Sequence, residues 1–289
     1  MLERLAERAP GFLDSIDLFA GTSSGGLIAL GLAMGLPPAD LVRFFELHGP
    51  RIFADPWREY PQWDGMALAR ARYDDARRLE ALRSVFGERI LHDLPRAVLI
   101  SSFDLDDGAD IGRQPGKPVS WKPKFFHNFV GDPGTDVSEL VVDVAMRTSA
   151  APTFFPTFQG YVDGGVIANN PSMAALAQAL DPRTGGRQPG DVVLLSIGTG
   201  RNPRRIPGAR RDWGLVAWAP HLVDMMIEGA MDTARYQCDR LLCERFHRVD
   251  VWLEQPVALD DAMVIPAMIG LGSTLDIEAT VRWINEYML

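Results

Sequence analysis

The sequence predicts an α/β protein: a largely parallel sheet covered by helices on both faces. Three observations predict it. Runs that are apolar throughout, such as AVLIS (97–101) and VVLLSI (192–197), read as strands buried on both faces. These runs alternate with helical periodicities along the chain. Glycine-rich turns follow Ala20, Val162 and Ile197, at the strand ends where such sheets gather functional groups.

The elements follow in order. Leu2–Ala6 reads as the tail of a helix ended by Pro10 and Gly11, and Ile16–Ala20 as a short buried strand. Gly25–Met34 carries no charge, which predicts a helix buried nearly all round. Pro37 and Pro38 open a helix whose Leu41, Phe44, Phe45 and His48 share one face. Residues 54–73 break the pattern with Pro, Gly and Trp57, Tyr60 and Trp63, and are expected to form a surface insertion. Leu79, Leu82 and Phe86 mark a helix stopped at Gly87. Strands are expected at 97–101 and 124–129, with Ser138 as the cap of the helix that follows the second. Tyr161–Val162 is a strand running into Asp163, and Pro171 starts the helix SMAALAQAL. A strand at 192–197, a long helix near 214–243, a strand at 246–253 and a closing helix near 275–288 complete the chain, read as one domain over 1–289.

Bulk composition narrows the function. The chain has 289 residues, 47% of them hydrophobic and 23% charged, an ordinary globular balance with ample core. A net charge of −9 argues against nucleic acid as a partner, since phosphate neutralisation needs a cationic face. Cys238 and Cys243, five apart on a helix, point to different faces and are expected to be free thiols in its core. The N-terminus lacks the apolar core of a signal peptide, and no stretch approaches the apolar length of a membrane span. A cytoplasmic or membrane-peripheral location is expected, with secretion left open if the natural start lies upstream.

Residues 16–31, IDLFAGTSSGGLIALG, hold the first chemical signal. Of the two adjacent serines, only Ser23 has a glycine two residues away on each side, Gly21 and Gly25. Between a buried strand and a buried helix, this G-x-S-x-G pattern lifts a hydroxyl above the sheet, and the glycines remove side chains that would clash. The Ser24 amide then faces a developing oxyanion at the positive end of the helix, and the Ser24 side chain reads as a cap or neighbour. The bland alternative is a glycine-rich turn with incidental serines.

A serine needs a base. Among His48, His92, His127, His221 and His247, the last two could serve a Ser–His–Asp arrangement by chain order. Yet His221 falls in an apolar helix and His247 inside a strand, where a structural role is expected. Asp163 lies instead at a strand end in GYVDGGVIANNPS. Gly164 and Gly165 would admit a close neighbour, and Asn169 and Asn170 would tether the turn. A shielded carboxylate touching Ser23 could act as general base, whereas a lone Asp-Gly turn would be only a turn.

Together these segments resemble the patatin-like phospholipase family over most of the chain. GTSSGG around Ser23, SFDLDDG (102–108), RTSAAPTFFP (147–156), YVDGGVIANNP (161–171) and LLSIGTG (194–200) fall in the family's order. The resemblance implies a three-layer α/β/α fold and a dyad of nucleophile Ser23 and base Asp163, without histidine, metal or other cofactor. It implies hydrolysis of lipid acyl esters, phospholipids included, with transient contact at a membrane surface. One departure stands out. The family's first strand and glycine-rich oxyanion loop have no counterpart in the 22 residues before Ser23. This predicts a natural start upstream of Met1, with a natural short variant as the alternative, and unpaired strand edges in the chain as written. A lipid-binding domain impaired in catalysis is the reading this departure leaves open.

Trp57, Tyr60, Trp63 and Met66 could rim a lipid-facing surface, though packing onto their own domain is the ordinary outcome. Residues 213–229 could wall an acyl pocket or cover it, with a core helix as the default. Arg201, Arg204, Arg205, Arg210 and Arg211 form a basic loop that would be solvated or hold anionic headgroups. Asp104, Asp106, Asp107 and Asp110 lack the spacing of a calcium loop, so no metal is expected there.

Overall fold

A computed structural model describes residues 1–54, 70–106, 120–132, 136–206, 212 and 214–289. The expectations for Trp57, Tyr60, Trp63, Met66, Asp107, Asp110, Arg210 and Arg211 lie outside the described residues. The elements are α1 Leu2–Arg8, β1 Leu18–Gly21, α2 Ser24–Ala33, α3 Pro38–Ile52, α4 Ala76–Phe86, β2 Ala97–Asp104 and β3 Lys122–His127. They continue with α5 Val141–Thr148, β4 Tyr161–Asp163, α6 Gly165–Ala168, α7 Ser172–Leu180, β5 Leu194–Ile197, α8 Leu215–Leu242, β6 Phe246–Val249, α9 Ile265–Thr274 and α10 Glu278–Tyr287.

The fold is α/β, with strands in two sheets. In the first, β1 pairs parallel with β2, so that Leu18 faces Ala97 and Gly21 faces Ile100. Parallel pairing also joins β5 to β6 in the second. Two further pairings are antiparallel: β3 lies along β2 from Leu99 opposite His127 to Asp104 opposite Lys122, and β4 pairs Ser102 with Asp163. The Gly-, Pro- and Asp-rich sequence between β2 and β3 carries no helical periodicity for a crossover, so the chain returns antiparallel. Because β3 pairs with Leu99–Asp104, overlapping the stretches of β2 that pair with β1 and with β4, β1 and β4 share the other edge, end to end.

Side-chain alternation explains the layers. The main core joins Phe19, Leu27, Leu30, Leu82, Phe86, Val98, Ile100, Phe126 and Met146, packing α2, α4 and α5 onto one face of the first sheet. Leu99 and Ser101, on the opposite face of β2, are buried as well, which is why the strand reads as apolar without alternation. In β5, Leu195 and Ile197 face a cluster of Leu5, Phe12, Val281 and Ile284 from the α1 and α10 region. Leu194 faces Leu176, Cys238, Leu242 and Phe246 on the α7 and α8 side. The second sheet is therefore covered on both sides.

Several expectations change. The helix expected behind Ser138 is capped by Leu140, which is held extended by a bridge to Ile90. Cys238 is a buried free thiol, but Cys243 is exposed just beyond the end of α8. Within the 54–73 insertion, Tyr73 turns inward against Phe53 and Phe155. Strand β6 stops at Val249, and Trp252 rejoins the chain through a bridge to Arg201. Helix α9 was not expected at all, because its residues carry no amphipathic period. The core helix expected over 213–229 is overturned: Leu222, Val223, Met225 and Met226 of α8 are all exposed.

Arg147 ties α5 to the approach of β4. Its guanidinium donates to Glu139 at 2.8 Å and to Gln159, and stands 4.8 Å over the Tyr161 ring. Arg147→Ala removes the charge-assisted bonds and the stacking together, and urea denaturation should register a loss of about 3 kcal/mol.

Candidate active site

The site is built on β2. Gly21 lies opposite Ile100 and Asp163 opposite Ser102, so the end of β1 and the end of β4 arrive two residues apart on one strand edge. Ser23 sits immediately beyond β1, at the N-cap position of α2, with φ 54° and ψ −128°. That backbone is costly for any residue but glycine, and it is the strain of a sharp strand-to-helix turn. It is held from both sides. The Ser23 amide donates to Thr148 Oγ1 at 3.0 Å, and Thr148 Oγ1 donates to the Ser101 carbonyl at 2.6 Å. Thr22 donates to the Ala168 carbonyl and bonds Ser101 Oγ, both at 2.6 Å.

The structure brings Ser23 and Asp163 into one cleft, with the Ser23 hydroxyl near enough to favour the ionised Asp163 carboxylate. Asp163 is buried, with its amide bonded to the Ala150 carbonyl at 2.9 Å and Oδ1 accepting from the Gly165 amide at 2.7 Å. Burial pushes its carboxyl up to about 6, opposed by the Ser23 hydroxyl, the Gly165 hydrogen bond and the positive charge of Arg78. Arg78 is itself buried, donating to Asp75 at 2.6 Å and to the Ser149 carbonyl, with its guanidinium 4.3 Å from the Phe155 ring centre.

The glycines divide by role. A Cβ at Gly21 would stand 2.2 Å from the Gly25 carbonyl oxygen, and one at Gly164 would stand 2.2 Å from Ser101 Oγ. Both positions require glycine because a second backbone passes there. At Gly165 the added atom would press on Asp163 Oδ1 at 3.2 Å. Gly25 does not fit the steric expectation: nothing lies within 4 Å of its missing side chain. It borders the open cleft instead. Ser24 is the first helical residue, exposed, and the cap position belongs to Ser23, so the capping role expected of Ser24 is not found. The first bond of α2 runs from the Leu27 amide to the Ser23 carbonyl, leaving the amides of Ser24, Gly25 and Gly26 at the open helix end.

The tethers of the base turn are longer-ranged than expected. Asn170 Oδ1 accepts from the Ser172 amide and hydroxyl, while its Nδ2 donates to the Met231 carbonyl in α8 at 3.3 Å. Ser172 bonds Ser196 of β5, which accepts from Arg248 of β6 at 2.7 Å. Thus the turn after Asp163 is fastened to the second sheet.

Ser23 and Asp163 open into a cleft of about 1830 Å³, whose walls include Phe44, Phe45, Phe53, Phe154, Met231 and Met268. No histidine is among the described residues that line it. His247 bonds Thr280 at 3.0 Å and stacks on Trp283. The basic loop is engaged in ion pairs: Arg201 with Asp232 at 2.7 Å, and Arg204 with Asp224. Thr148, Ser101, Gly26 and Arg78 were not singled out from sequence. Thr148 and Ser101 fall next to or inside quoted motifs, but nothing local marks them as the pair that holds the elbow.

The site thus sets a serine on a strained strand-to-helix turn beside a buried carboxylate on an α/β scaffold. A sequence profile described as patatin-like phospholipase matches residues 1–176. The chain belongs to the patatin-like phospholipase family. It is 33% identical over 219 residues to CotR of Bacillus subtilis (strain 168), an alignment covering 75% of this chain and 62% of CotR. Protein teg of Priestia megaterium is 31% identical over 219 residues, with coverage of 75% and 63%. The cGAMP-activated phospholipase of Pseudomonas aeruginosa is 30% identical over 269 residues, covering 90% of this chain and 75% of that protein. Against CotR and teg, the alignment spans a little over three fifths of the relative's length.

Gly21→Ala should lower stability by at least about 2 kcal/mol in urea denaturation, since backbone cannot yield. Gly25→Ala, in helical backbone and open space, should be neutral or gain up to about 1 kcal/mol. For Asp163 the folded value lies above the unfolded one, so its ionisation penalises the folded state as pH rises from about 4 through about 6. Asp163→Asn should therefore stabilise the fold by up to about 3 kcal/mol at pH 8 and by little at pH 4, read as unfolding free energy against pH.

Proposed function

We propose that the chain hydrolyses acyl esters of lipids, phospholipids among them, through a covalent acyl-enzyme. The observation that carries this reading is the placement of Ser23, on its strained turn, beside the buried Asp163 carboxylate in one cleft. Ser23 Oγ attacks the ester carbonyl while its proton passes to Asp163. The tetrahedral intermediate collapses, the carbon–oxygen bond to the alcohol breaks, and Asp163 returns the proton to that leaving oxygen. Water then enters, gives a proton to Asp163 and attacks the acyl carbonyl. Release of the fatty acid restores the Ser23 hydroxyl with that proton.

The negative oxygen of each intermediate needs donors. The Ser24 amide, with Gly25 beside it on the open helix end, would supply them, aided by the positive end of α2. No side chain at Gly25 obstructs the approach. The apolar walls of the cleft suit acyl chains, and its size suits a substrate larger than a short ester. The raised Asp163 carboxyl has a proton affinity close to that wanted of a base at neutral pH. The names of the relatives point the same way: one is a phospholipase.

The test is hydrolysis of a p-nitrophenyl acyl ester. Ser23→Ala and Asp163→Asn should each reduce kcat by at least about a thousandfold. The kcat/KM profile of the unmodified chain should fall below about pH 6 as Asp163 takes up its proton. Full activity in Asp163→Asn would defeat the reading.

A further inference from the structure

We propose that the exposed apolar rim formed by residues 222–226 of α8 and the segment 259–263 before α9 docks onto a zwitterionic lipid surface. The proposal rests on the reading of the site as a lipid acyl hydrolase and names the surface by which substrate is reached. Two apolar segments border the cleft that holds Ser23: α8 through Val223, Ile227 and Met231, and the segment leading into α9 through Leu259, Ala262, Ile265 and Met268. They are joined structurally. Asn202 exchanges two 2.9 Å hydrogen bonds with Val257, and Arg204 pairs with Asp224 of α8.

On this rim the large apolar side chains face outward. Val223 is 62% exposed, Met226 69%, Leu259 68% and Met263 81%, with Leu222 and Met225 exposed beside them. Residues 222, 223, 225 and 226 point in several directions around one helix, so no single face of the chain covers that turn. A cluster of this kind marks a contact surface rather than scattered surface residues.

Position and charge select the occupant. Val223 and Leu259 are at once exposed and part of the cleft wall, so apolar surface continues from the rim towards Ser23. An acyl chain drawn from a lipid layer would leave one apolar environment for another. The rim's acids are largely matched, Asp224 by Arg204, Glu228 by Arg201 and Asp260 by Arg72, so the rim offers no unbalanced positive charge, and the chain's net charge of −9 disfavours anionic headgroups. Attraction therefore comes from apolar burial, with flexible methionines adapting to the interface.

The experiment is flotation of the full chain carrying Ser23→Ala, to prevent turnover, with phosphatidylcholine vesicles. Binding should occur and persist in 0.5 M salt (roughly a 4 Å screening length). Met226→Glu and Met263→Glu, added singly, should each lower partitioning by about tenfold, and together abolish it. In a chain that retains Ser23, the same two substitutions should leave hydrolysis of a soluble short-chain ester unchanged, which also certifies folding. No binding to phosphatidylcholine, binding that requires anionic lipid, or binding indifferent to both substitutions would overturn the proposal. So would sedimentation showing that the rim closes on a second copy, with dimers dissociated by Met226→Glu. Vesicle binding that depends on the methionines without any ester turnover would retain the surface and reject the hydrolase reading.

Discussion

Strand β2 is the template on which the rest of the site depends. One of its edges is shared end to end by β1, arriving parallel, and β4, arriving antiparallel. Neither the turn that lifts Ser23 nor the strand that delivers Asp163 fixes the other. Both are measured against Ile100, Ser101 and Ser102. Gly164 has no room for a side chain because Ser101 lies against it, while the Ser101 hydroxyl bonds Thr22 and its carbonyl accepts from the Thr148 hydroxyl. Buried polar groups are retained here only because each is satisfied, and the same bonds fix the elbow.

The site opposes the stability of the scaffold twice. Ser23 holds a left-handed backbone that a non-glycine residue adopts at a cost of about 1–3 kcal/mol. Asp163 is buried, and burial favours its neutral form over the carboxylate. These costs are offset by surroundings that leave no relaxed alternative: α2 pressed against β1 at Gly21, and the base turn tied through Asn170, Ser172 and Ser196 to Arg248. Arg78 adds a positive charge behind the carboxylate while holding the Ser149 carbonyl, one residue from the Ala150 carbonyl that accepts the Asp163 amide.

The large cleft also follows from the sheets. Among the described strands, β1 bonds only β2 and β5 only β6, and residues of both β1 and β5 border the cleft. Leu18, Leu194, Leu195 and Ile197 are half-buried where strands in the middle of an α/β layer would be covered. Apolar surface thus runs from the sheet past Ser23 to the rim of α8.

By itself the sequence determined the α/β class and most helices and strands, and it pointed to Ser23 and Asp163, which the fold sets at the ends of β1 and β4. Those are local matters: apolar period, glycine at turns, and G-x-S-x-G or D-G-G placed at strand ends. It could not determine what depends on residues distant in the chain. Nothing near Ser101 or Thr148 announces that they clamp Ser23, because the clamp exists only once β1, β2 and α5 are packed. The apolar run of 213–229 reads as core, since periodicity reports hydrophobicity and not whether a partner is present to cover it. Only the tertiary structure decided that Leu222, Val223, Met225 and Met226 face outward, that Gly21 rather than Gly25 is sterically required, and that β1 and β4 meet on one edge of β2. Contact between segments is set by packing, and no local pattern encodes it.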